Sequence, residues 1–435
     1  SYLCIPIIIG IIISHFFKPS LSAYFLIALV VTNLVLSGLS KKYAIIFLAF
    51  SFVLLGIYVY SIHIDNSSVL QGCNFDKIIL ELEIKNTGLD RERYVEYDAD
   101  ILKIIDGSRV IEVKERIRLE LYKDGNTDFS LEPTDIISIK NPIFIESLDG
   151  DNLEAYKLYL RGKGIRAIFQ GREKDIIRVD KFQSTNLFNL SFKIRRYLED
   201  FFDQLLPSIE AGILKSIIFG NQGYLEDEIL DLFSISGTAH IIAVSGLHVG
   251  VIVLILHKIF GFLGMGKKEI LLITMIFLLL YSAIANFPVS IIRAVSMYYL
   301  YVIAYFLHRR YDPINGLMLI AFLLLLYNPL TLFSISFQLS FSATLAILLF
   351  YPWINQSIKI KANYLQSLIS VTVAAQLGTI PIMIFHFQQI SLIAFVANIF
   401  IVPILVPLLM TAGISSLFSI FSMHWASRIN LLTHV

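Results

Sequence analysis

The sequence predicts a polytopic α-helical membrane protein that carries an inserted extracytoplasmic β-domain. Hydrophobic residues make up 56% of the 435-residue chain and charged residues only 16%, against about 25% in an ordinary soluble domain. A soluble core could not bury so many apolar side chains. The apolar residues also form long runs on both sides of one charged, alternating segment. The net charge of +1 neither favours nor excludes a nucleic-acid partner.

Residues 1–64 are predicted to form N-terminal transmembrane helices. Three apolar runs cover approximately residues 2–17, 20–38 and 43–64. The first run is short for a membrane span at 1.5 Å per residue.

Residues 65–188 hold much of the charge and form the predicted β-domain. Apolar and polar residues alternate in DKIILELEIKNT (76–87), YVEYDADILKII (94–105), RVIEVKERIRLELY (109–122) and DIISIKNPIFIE (135–146). This alternation predicts half-buried strands, and several short strands in succession predict a small barrel or sandwich. A helical insert is predicted at NLEAYKLYLRGKGI (152–165).

Residues 189–239 are predicted to form amphipathic helices. FKIRRYLEDFFDQLLP (192–207) and IEAGILKSIIFGNQ (209–222) each place charge on one face and apolar side chains on the other. Such helices lie at the membrane surface or cap the β-domain, and the pattern is compatible with both.

Residues 240–435 predict a second transmembrane domain. Its expected spans are approximately 240–263, 269–287, 288–307, 314–332, 333–353, 366–386 and 389–410, followed by a further run at 411–425. The basic loops are at 41–42, 267–268, 309–310 and 359–361. All four fall on the cytoplasmic side if the β-domain is outside, as the positive-inside rule requires, and Lys18 is the exception.

Arg293 is the only charged residue near the middle of a predicted span in this second domain. A charge at that depth costs about 2.5–3.5 kcal/mol on insertion scales, so it must face protein or water. Arg293 is therefore a candidate contact for an anionic passenger. The alternative is a tie between helices, made to a carbonyl or a glutamine.

The stretch HIIAVSGLHVGVI (240–252) places His240, Ser245 and His248 in an apolar run. Ser245 and His248 share a helical face, but a hydrolytic triad needs a third, orienting group, and no carboxylate is available within a span. A zinc site would need more ligands than the two histidines, and His386 is the other deep candidate.

Polar side chains beside helix breakers recur in this domain. Gly246 and Gly250 allow close packing or unwinding of a helix, which favours a wall that lines a water-filled cavity. The other candidate residues are Ser334, Gln338, Ser342, Gln376, His386 and Asn398. Each alone is typical of helix packing, but together they predict a bundle around a polar route.

Four stretches of this domain resemble, in order, the competence domain of the ComEC/Rec2 DNA-uptake channels, over about residues 205–425. They are GTAHIIAVSGLHVGVI, RAVSM, DPINGLMLIAFLLLLYNPLTLFSISFQLSFSATLAILL and AAQLGTIPIMIFHFQQISLIAFVANIFIVP. The resemblance implies an inner-membrane channel that passes single-stranded DNA into the cytoplasm during natural transformation and needs no cofactor. His240, Ser245, Gly246, His248, Arg293, Gln338, Ser342, Gln376, His386 and Asn398 would then line the channel or contact the strand.

The segment around AYKLYLRGKGIRAIF resembles the family's OB-like domain, which lies outside the membrane. An OB-like domain binds a single strand through aromatic side chains in a basic groove. The candidates for that contact are Tyr156, Tyr159, Arg161, Lys163 and Arg166.

The resemblance also implies partners. These are single-stranded DNA and the lipid bilayer, with a DNA receptor, a strand-importing ATPase, a separate nuclease and a second copy of the chain as further candidates. Many family members continue into a metallo-β-lactamase-like domain, but no H-x-H-x-D-H cluster occurs here. We therefore expect no metal site and no enzymatic activity in this chain. The alternative function is a permease or exporter of a small anionic or lipid-linked substrate.

Overall fold

The computed structural model describes twelve parts of the chain. They are residues 4–17, 31, 44–65, 70, 78–86, 88–90, 93–106, 109–124, 131–147, 155–180, 187–388 and 393–419. The apolar run predicted at 20–38 lies outside them, Val31 excepted. The chain divides into two units. One consists of Ser1–Ser184 and Ile314–Phe337, and the other of Thr185–Pro313 and Gln338–Val435.

Two apolar helices of the first unit, α1 (Cys4–Phe17) and α2 (Ala44–Asp65), pack backbone to backbone. A Cβ added to Gly56 would overlap the Ile7 carbonyl oxygen, and one added to Gly10 would overlap that of Val53. Glycine at both positions is what allows the two helices to approach so closely.

The charged segment of the first unit folds into a mixed β-sheet, as its alternating pattern predicts. Its strands are β1 (Ile79–Ile84), β2 (Leu89–Asp90), β3 (Tyr94–Asp106), β4 (Arg109–Glu112), β5 (Arg116–Tyr122), β6 (Ile136–Lys140), β7 (Ile143–Ser147), β8 (Ile165–Arg172) and β9 (Ile176–Asp180). The predicted helical insert is confirmed as α3 (Ala155–Gly162).

Five strand segments of this sheet pair around a ring. β3 lies antiparallel between β1 and β5, and β5 runs parallel to β8. β6 and β7 are separated only by Asn141 and Pro142; β6 pairs with β1, whereas β7 pairs with β8. The bent segment 136–147 therefore joins the two ends of the path β1–β3–β5–β8.

The inner face of this ring is apolar. Leu80, Leu82 and Ile84 alternate along β1 and are fully buried, together with Tyr97 and Phe169 from β3 and β8. Alternate residues of a strand point to one face, so the periodicity of the sequence places one side of each strand in this core.

The remaining helices are α4 (Leu187–Leu205), α5 (Ser208–Phe219), α6 (Asp227–Ile235), α7 (Ala239–Ile242), α8 (Gly246–Phe262), α9 (Lys267–Ile284), α10 (Val289–Phe306), α11 (Pro313–Tyr327), α12 (Ile335–Ser357), α13 (Asn363–Phe387) and α14 (Ile393–Ser419). Among the described helices, four are long and apolar enough to cross a membrane. They are Val289–Phe306, Ile335–Ser357, Asn363–Phe387 and Val396–Ser416.

The two amphipathic helices predicted at 192–207 and 209–222 are α4 and α5. Phe201 and Phe202 of α4 pack on Ala211 and Leu214 of α5 and on Ala412 of α14. The apolar faces of these helices are thus buried within the second unit.

Two of the expected spans have different boundaries in the structure. The span expected from residue 240 is broken at 243–245, and its long helix begins at Gly246. The runs expected at 389–410 and 411–425 are joined, since α14 continues through residue 411 to Ser419. Within this helix the hydroxyls of Thr411 and Ser415 donate to the carbonyls of Pro407 and Ala412, so both side chains are satisfied inside the helix.

Candidate functional site

The break before α8 is fixed by a reciprocal cap. The Ser245 hydroxyl accepts the Leu247 N–H at 3.3 Å, and His248 Nδ1 accepts the Ser245 N–H at 3.1 Å. The Ser245 side chain also accepts the backbone N–H of His248 in this capping box. Such a cap satisfies donors that the first turn of a helix leaves without partners. Both residues stand out in the sequence as polar groups in an apolar run, but the run gives no sign of this capping role.

The same contacts argue against Ser245 as a nucleophile. Its Oγ lies 3.1 Å from His248 Nδ1, but that nitrogen also accepts a backbone N–H and His248 is only 2% exposed. No side chain in the described part of the chain hydrogen-bonds the other ring nitrogen, Nε2. Among the described residues, no third side chain therefore orients the imidazole as a triad requires, and the other backbone group near the ring is that of Ile217.

Arg293 ties α10 to α12 within the second unit. Its Nε donates to Ser340 Oγ at 2.7 Å, and its Nη1 donates to Thr344 Oγ1. Arg293 is 8% exposed. The partners are hydroxyl groups rather than the carbonyl or glutamine considered from the sequence. Ser340 and Thr344 lie one helical turn apart on α12. From that spacing, Thr344 could have been identified in the sequence as a second partner beside Ser340.

The third nitrogen of the guanidinium faces the start of α8. A Cβ built on Gly246 would lie 2.9 Å from Arg293 Nη2 and 3.6 Å from the Cβ of Ala294. A Cβ on Gly250 would meet nothing within 4 Å in the described structure. Close packing thus applies at Gly246, whereas Gly250 borders open space.

Gln338 and His386 form a second polar tie, between α12 and α13. The distance from Gln338 Oε1 to His386 Nε2 is 2.8 Å. Ser342 Oγ donates to the Gln338 carbonyl of its own helix at 2.6 Å. The two helices cross closely here, since a Cβ on Gly378 would lie 2.7 Å from the Ser342 carbonyl oxygen. Ser334, which the sequence placed on this helical face, precedes α12.

The remaining candidates of the second unit lie apart from these two groups. His240 is exposed on α7, Gln376 is half-buried on α13, and Asn398 lies on α14 with a buried Oδ1. Among the described residues, no hydrogen bond joins His240, Gln376 or Asn398 to Arg293 or to His386.

The strand-contact candidates of the β-domain divide into exposed and buried residues. Tyr159 is 41% exposed, and Lys163 Nζ lies 4.9 Å from the centroid of its ring. Arg161 is only 4% exposed and donates to the Ile64 carbonyl at the end of α2, at 2.5 Å. Arg166 is half-buried on β8. Tyr156 belongs to α3, but its side chain is outside the described part.

Arg161 therefore has a structural contact rather than an open surface around it. α3 is also held on its other side, where Asn328 Nδ2 donates to the Gly162 carbonyl. Both contacts lie within the first unit.

A charged row on β3 and β5 was missed in the sequence. Arg118 donates to Asp98 at 2.8 Å and to Glu96 at 3.4 Å, and its side chain is 6% exposed. Arg116 pairs with Asp100 at 2.7 Å and is 43% exposed. The sequence did carry a signal for this charged row. Acidic residues occupy every second position in part of β3, and basic residues occupy every second position at the start of β5. On this face of the sheet the cations are paired with carboxylates, so the face does not form a basic groove.

A buried polar cluster on α4 was also missed. Arg195 donates to Glu199 at 2.8 Å and to the Tyr224 hydroxyl at 2.7 Å, and that hydroxyl donates in turn to Glu199. Burial raises the pKa of the Tyr224 phenol. The i, i+4 spacing of Arg195 and Glu199 was the available signal.

The chain is similar to proteins of known families. Residues 217–435 match the family model described as Competence protein. ComE operon protein 3 of Bacillus subtilis is 33% identical over 218 residues, which cover 49% of this chain and 28% of that protein. Recombination protein 2 of Haemophilus influenzae is 29% identical over 251 residues, covering 49% of this chain and 32% of that protein.

A third relative matches over more of its length. An uncharacterized protein of Aquifex aeolicus is 29% identical over 349 residues, which cover 74% of this chain and 77% of that protein. By contrast, the chain spans less than a third of the Bacillus and Haemophilus relatives. No solved structure matches the chain.

Proposed function

Because the chain belongs to the competence protein family, we propose that it is a multi-pass protein of the cytoplasmic membrane that passes single-stranded DNA into the cytoplasm during natural transformation. The family match covers the whole stretch that contains α8, α10, α12 and α13. The four apolar helices that are long enough to cross a membrane support placement in the bilayer.

One observation carries this proposal, namely the polar groups inside otherwise apolar helices. Arg293 lies within a helix whose other residues are uncharged, and its partners are the hydroxyls of Ser340 and Thr344. Gln338 and His386 add a second polar pair. A polyanionic strand needs a wet route with polar walls and few fixed cations, because many cations would retain its phosphates.

We also place the β-domain outside the membrane, as the distribution of basic loops favours. Its ring of five strand segments with one parallel pair, β5 with β8, supports an OB-like barrel. Tyr159 and Lys163 are the exposed outer-domain candidates for contact with an incoming strand.

Partners follow from the proposed route. Strand entry needs a DNA receptor outside and a strand-importing ATPase that supplies the driving force. A separate nuclease would remove the complementary strand. Among the described residues, no group of three or more His, Cys, Asp or Glu side chains could hold a metal ion.

Strand binding can be measured on the purified full chain. We expect the fluorescence anisotropy of a labelled oligothymidylate to rise with protein concentration, and the affinity to fall as salt is raised. A duplex of the same length is expected to bind more weakly. Absence of strand binding, together with binding of a small organic anion, would favour the permease instead.

A further inference from the structure

Two helix N-termini meet at the break that precedes α8. α8 starts at Gly246 and α10 starts at Val289. Ser290, in the first turn of α10, donates its hydroxyl to the Val244 carbonyl at 2.5 Å and joins the two. Each N-terminus carries a partial positive charge from its aligned peptide dipoles.

Within the described parts of the chain, the first N–H of α8 has no hydrogen-bond acceptor. Ser245 Oγ accepts the N–H groups of Leu247 and His248, which leaves the N–H of Gly246 as the first donor of the helix. Helix N-termini with free N–H groups are ready-made binding positions for anions.

Arg293 supplies an independent second observation. Its guanidinium is buried, with Arg293 only 8% exposed, and its Nε and Nη1 are occupied by Ser340 and Thr344. Nη2 makes no hydrogen bond with any described residue. It faces Gly246, where a Cβ would lie 2.9 Å away.

No acidic side chain on these helices can balance the guanidinium. The sequence has no Asp or Glu between Glu269 and Asp312, and none after Asp312. Arginine stays protonated in proteins, and a buried charge without a counter-charge is strongly destabilising. The position thus has a fixed cation, two helix N-termini and no anion of its own.

We propose that Arg293 Nη2 and the Gly246 N–H bind one phosphodiester group of the strand. The inference rests on the proposed function and names the chemical group that this position recognises. A phosphodiester is a tetrahedral monoanion with two free oxygens, so it can accept one hydrogen bond from each donor. The hydroxyl groups of its two partners already bond to the other two nitrogens of the guanidinium. The guanidinium therefore offers the phosphodiester a hydrogen bond from one nitrogen and not a bidentate pair.

Gly246→Ala and Gly250→Ala form a matched pair for the test. Both add one methyl group to the first turns of α8, but only the first pushes against Nη2. The contacted atom is the tip of a flexible side chain, so Gly246→Ala is expected to fold. In maltoside micelles, we expect it to weaken oligothymidylate binding about tenfold, the scale of one lost hydrogen bond to a charged group. We expect Gly250→Ala to bind like the parent chain.

Arg293→Gln gives a second readout that does not depend on Gly246. Loss of one phosphate contact should reduce the slope of log affinity against log salt by about 0.7, the value for single strands. Arg293→Lys keeps the charge and should keep most of that slope. Equal affinities for Gly246→Ala and Gly250→Ala, with an unchanged slope for Arg293→Gln, would overturn the inference.

The phosphodiester of a phospholipid headgroup offers the same chemistry. The binding assay is therefore repeated after addition of phosphatidylglycerol to the micelles. We expect the difference between Gly246→Ala and Gly250→Ala to persist. If the lipid abolishes it, the position belongs to a headgroup, and the assignment to the strand is overturned.

Failure of the inference and failure of the proposed function give different results. Strand binding by the parent chain that is insensitive to all these substitutions would leave the DNA route standing without this site. No strand binding by the parent chain, with dimethyl phosphate still raising its thermal midpoint but not that of Gly246→Ala, would leave an anion site without a DNA route.

Discussion

At the scale of single residues, polar side chains hold the apolar helices of the second unit in place. Ser245 and His248 cap α8, and Arg293 joins α10 to α12. All three stand out in the sequence because a polar side chain within an apolar run requires a structural or functional explanation. The partners of Arg293 could not be foreseen, since they depend on which helices pack together. The capping box of Ser245 and His248 was hidden because the apolar run continues unbroken from residue 240. Thr344 was missed because a threonine within a helix commonly bonds its own backbone.

Ser245→Ala tests the cap directly. We expect it to lower the free energy of unfolding by about 1 kcal/mol, because the N–H groups of the first turn lose their acceptor. Ser245→Asn should restore most of this loss, since asparagine also caps helices well. The measurement is chemical unfolding of the full chain in mixed micelles.

Ser357→Ala is the control for that experiment. Ser357 is exposed, and its hydroxyl bonds to the Trp353 carbonyl of its own helix. Its loss should change stability little. An equal effect of the two substitutions would contradict the capping role of Ser245.

Arg118 and Arg116 offer a second comparison at this scale, on one strand. Arg118→Ala leaves Glu96 and Asp98 buried without their cation, which costs about 3–5 kcal/mol of unfolding free energy. Arg116→Ala removes a pair that is half exposed and should cost no more than about 1 kcal/mol. Unfolding midpoints of the two variants measure the difference, and similar midpoints would show that the Arg118 network is not stabilising.

At the scale of elements, periodicity located most helices and strands. The alternating segments became β1, β3, β5, β6 and β7, and the amphipathic runs became α4 and α5. Hydropathy alone could not place the break at 243–245, because it depends on hydrogen bonds made by the Ser245 and His248 side chains. Hydropathy also could not show that α14 is continuous, because the apolar runs at 389–410 and 411–425 do not by themselves say whether one helix contains both. The closure of the ring through the bend at Asn141 also required the strand pairing itself.

The close crossing of α1 and α2 predicts whether a glycine-to-alanine substitution raises or lowers the stability of the chain. Gly56→Ala forces a methyl group into the Ile7 carbonyl and should destabilise the chain by about 1–3 kcal/mol. Gly261→Ala, near the end of α8, meets nothing within 4 Å in the described structure and should stabilise by up to about 1 kcal/mol through helix propensity. A thermal midpoint of Gly56→Ala that is equal to or above that of the parent chain would contradict the close crossing.

At the scale of the whole molecule, composition predicts a membrane protein, and four described helices are long and apolar enough to cross a membrane. The alternation in residues 65–188, and not the composition, predicted the β-sheet region. The family followed from several motifs in a fixed order, and the match over residues 217–435 shows it. The proposed route depends on how α8, α10, α12 and α13 share their polar residues. These contacts depend on how the helices pack against one another. The order of motifs along the chain does not specify that packing.

Transport of a strand by reconstituted protein tests the central claim most directly. The full chain is placed in liposomes, an inside-positive potassium diffusion potential is applied, and labelled oligothymidylate protected from external nuclease is measured. If the chain passes single-stranded DNA, we expect single strands inside the liposomes that are protected from nuclease and few protected duplexes of equal length. We also expect a marked loss of protection in Arg293→Gln. Protection that is equal to that of protein-free liposomes, while a small organic anion enters readily, would contradict the DNA route.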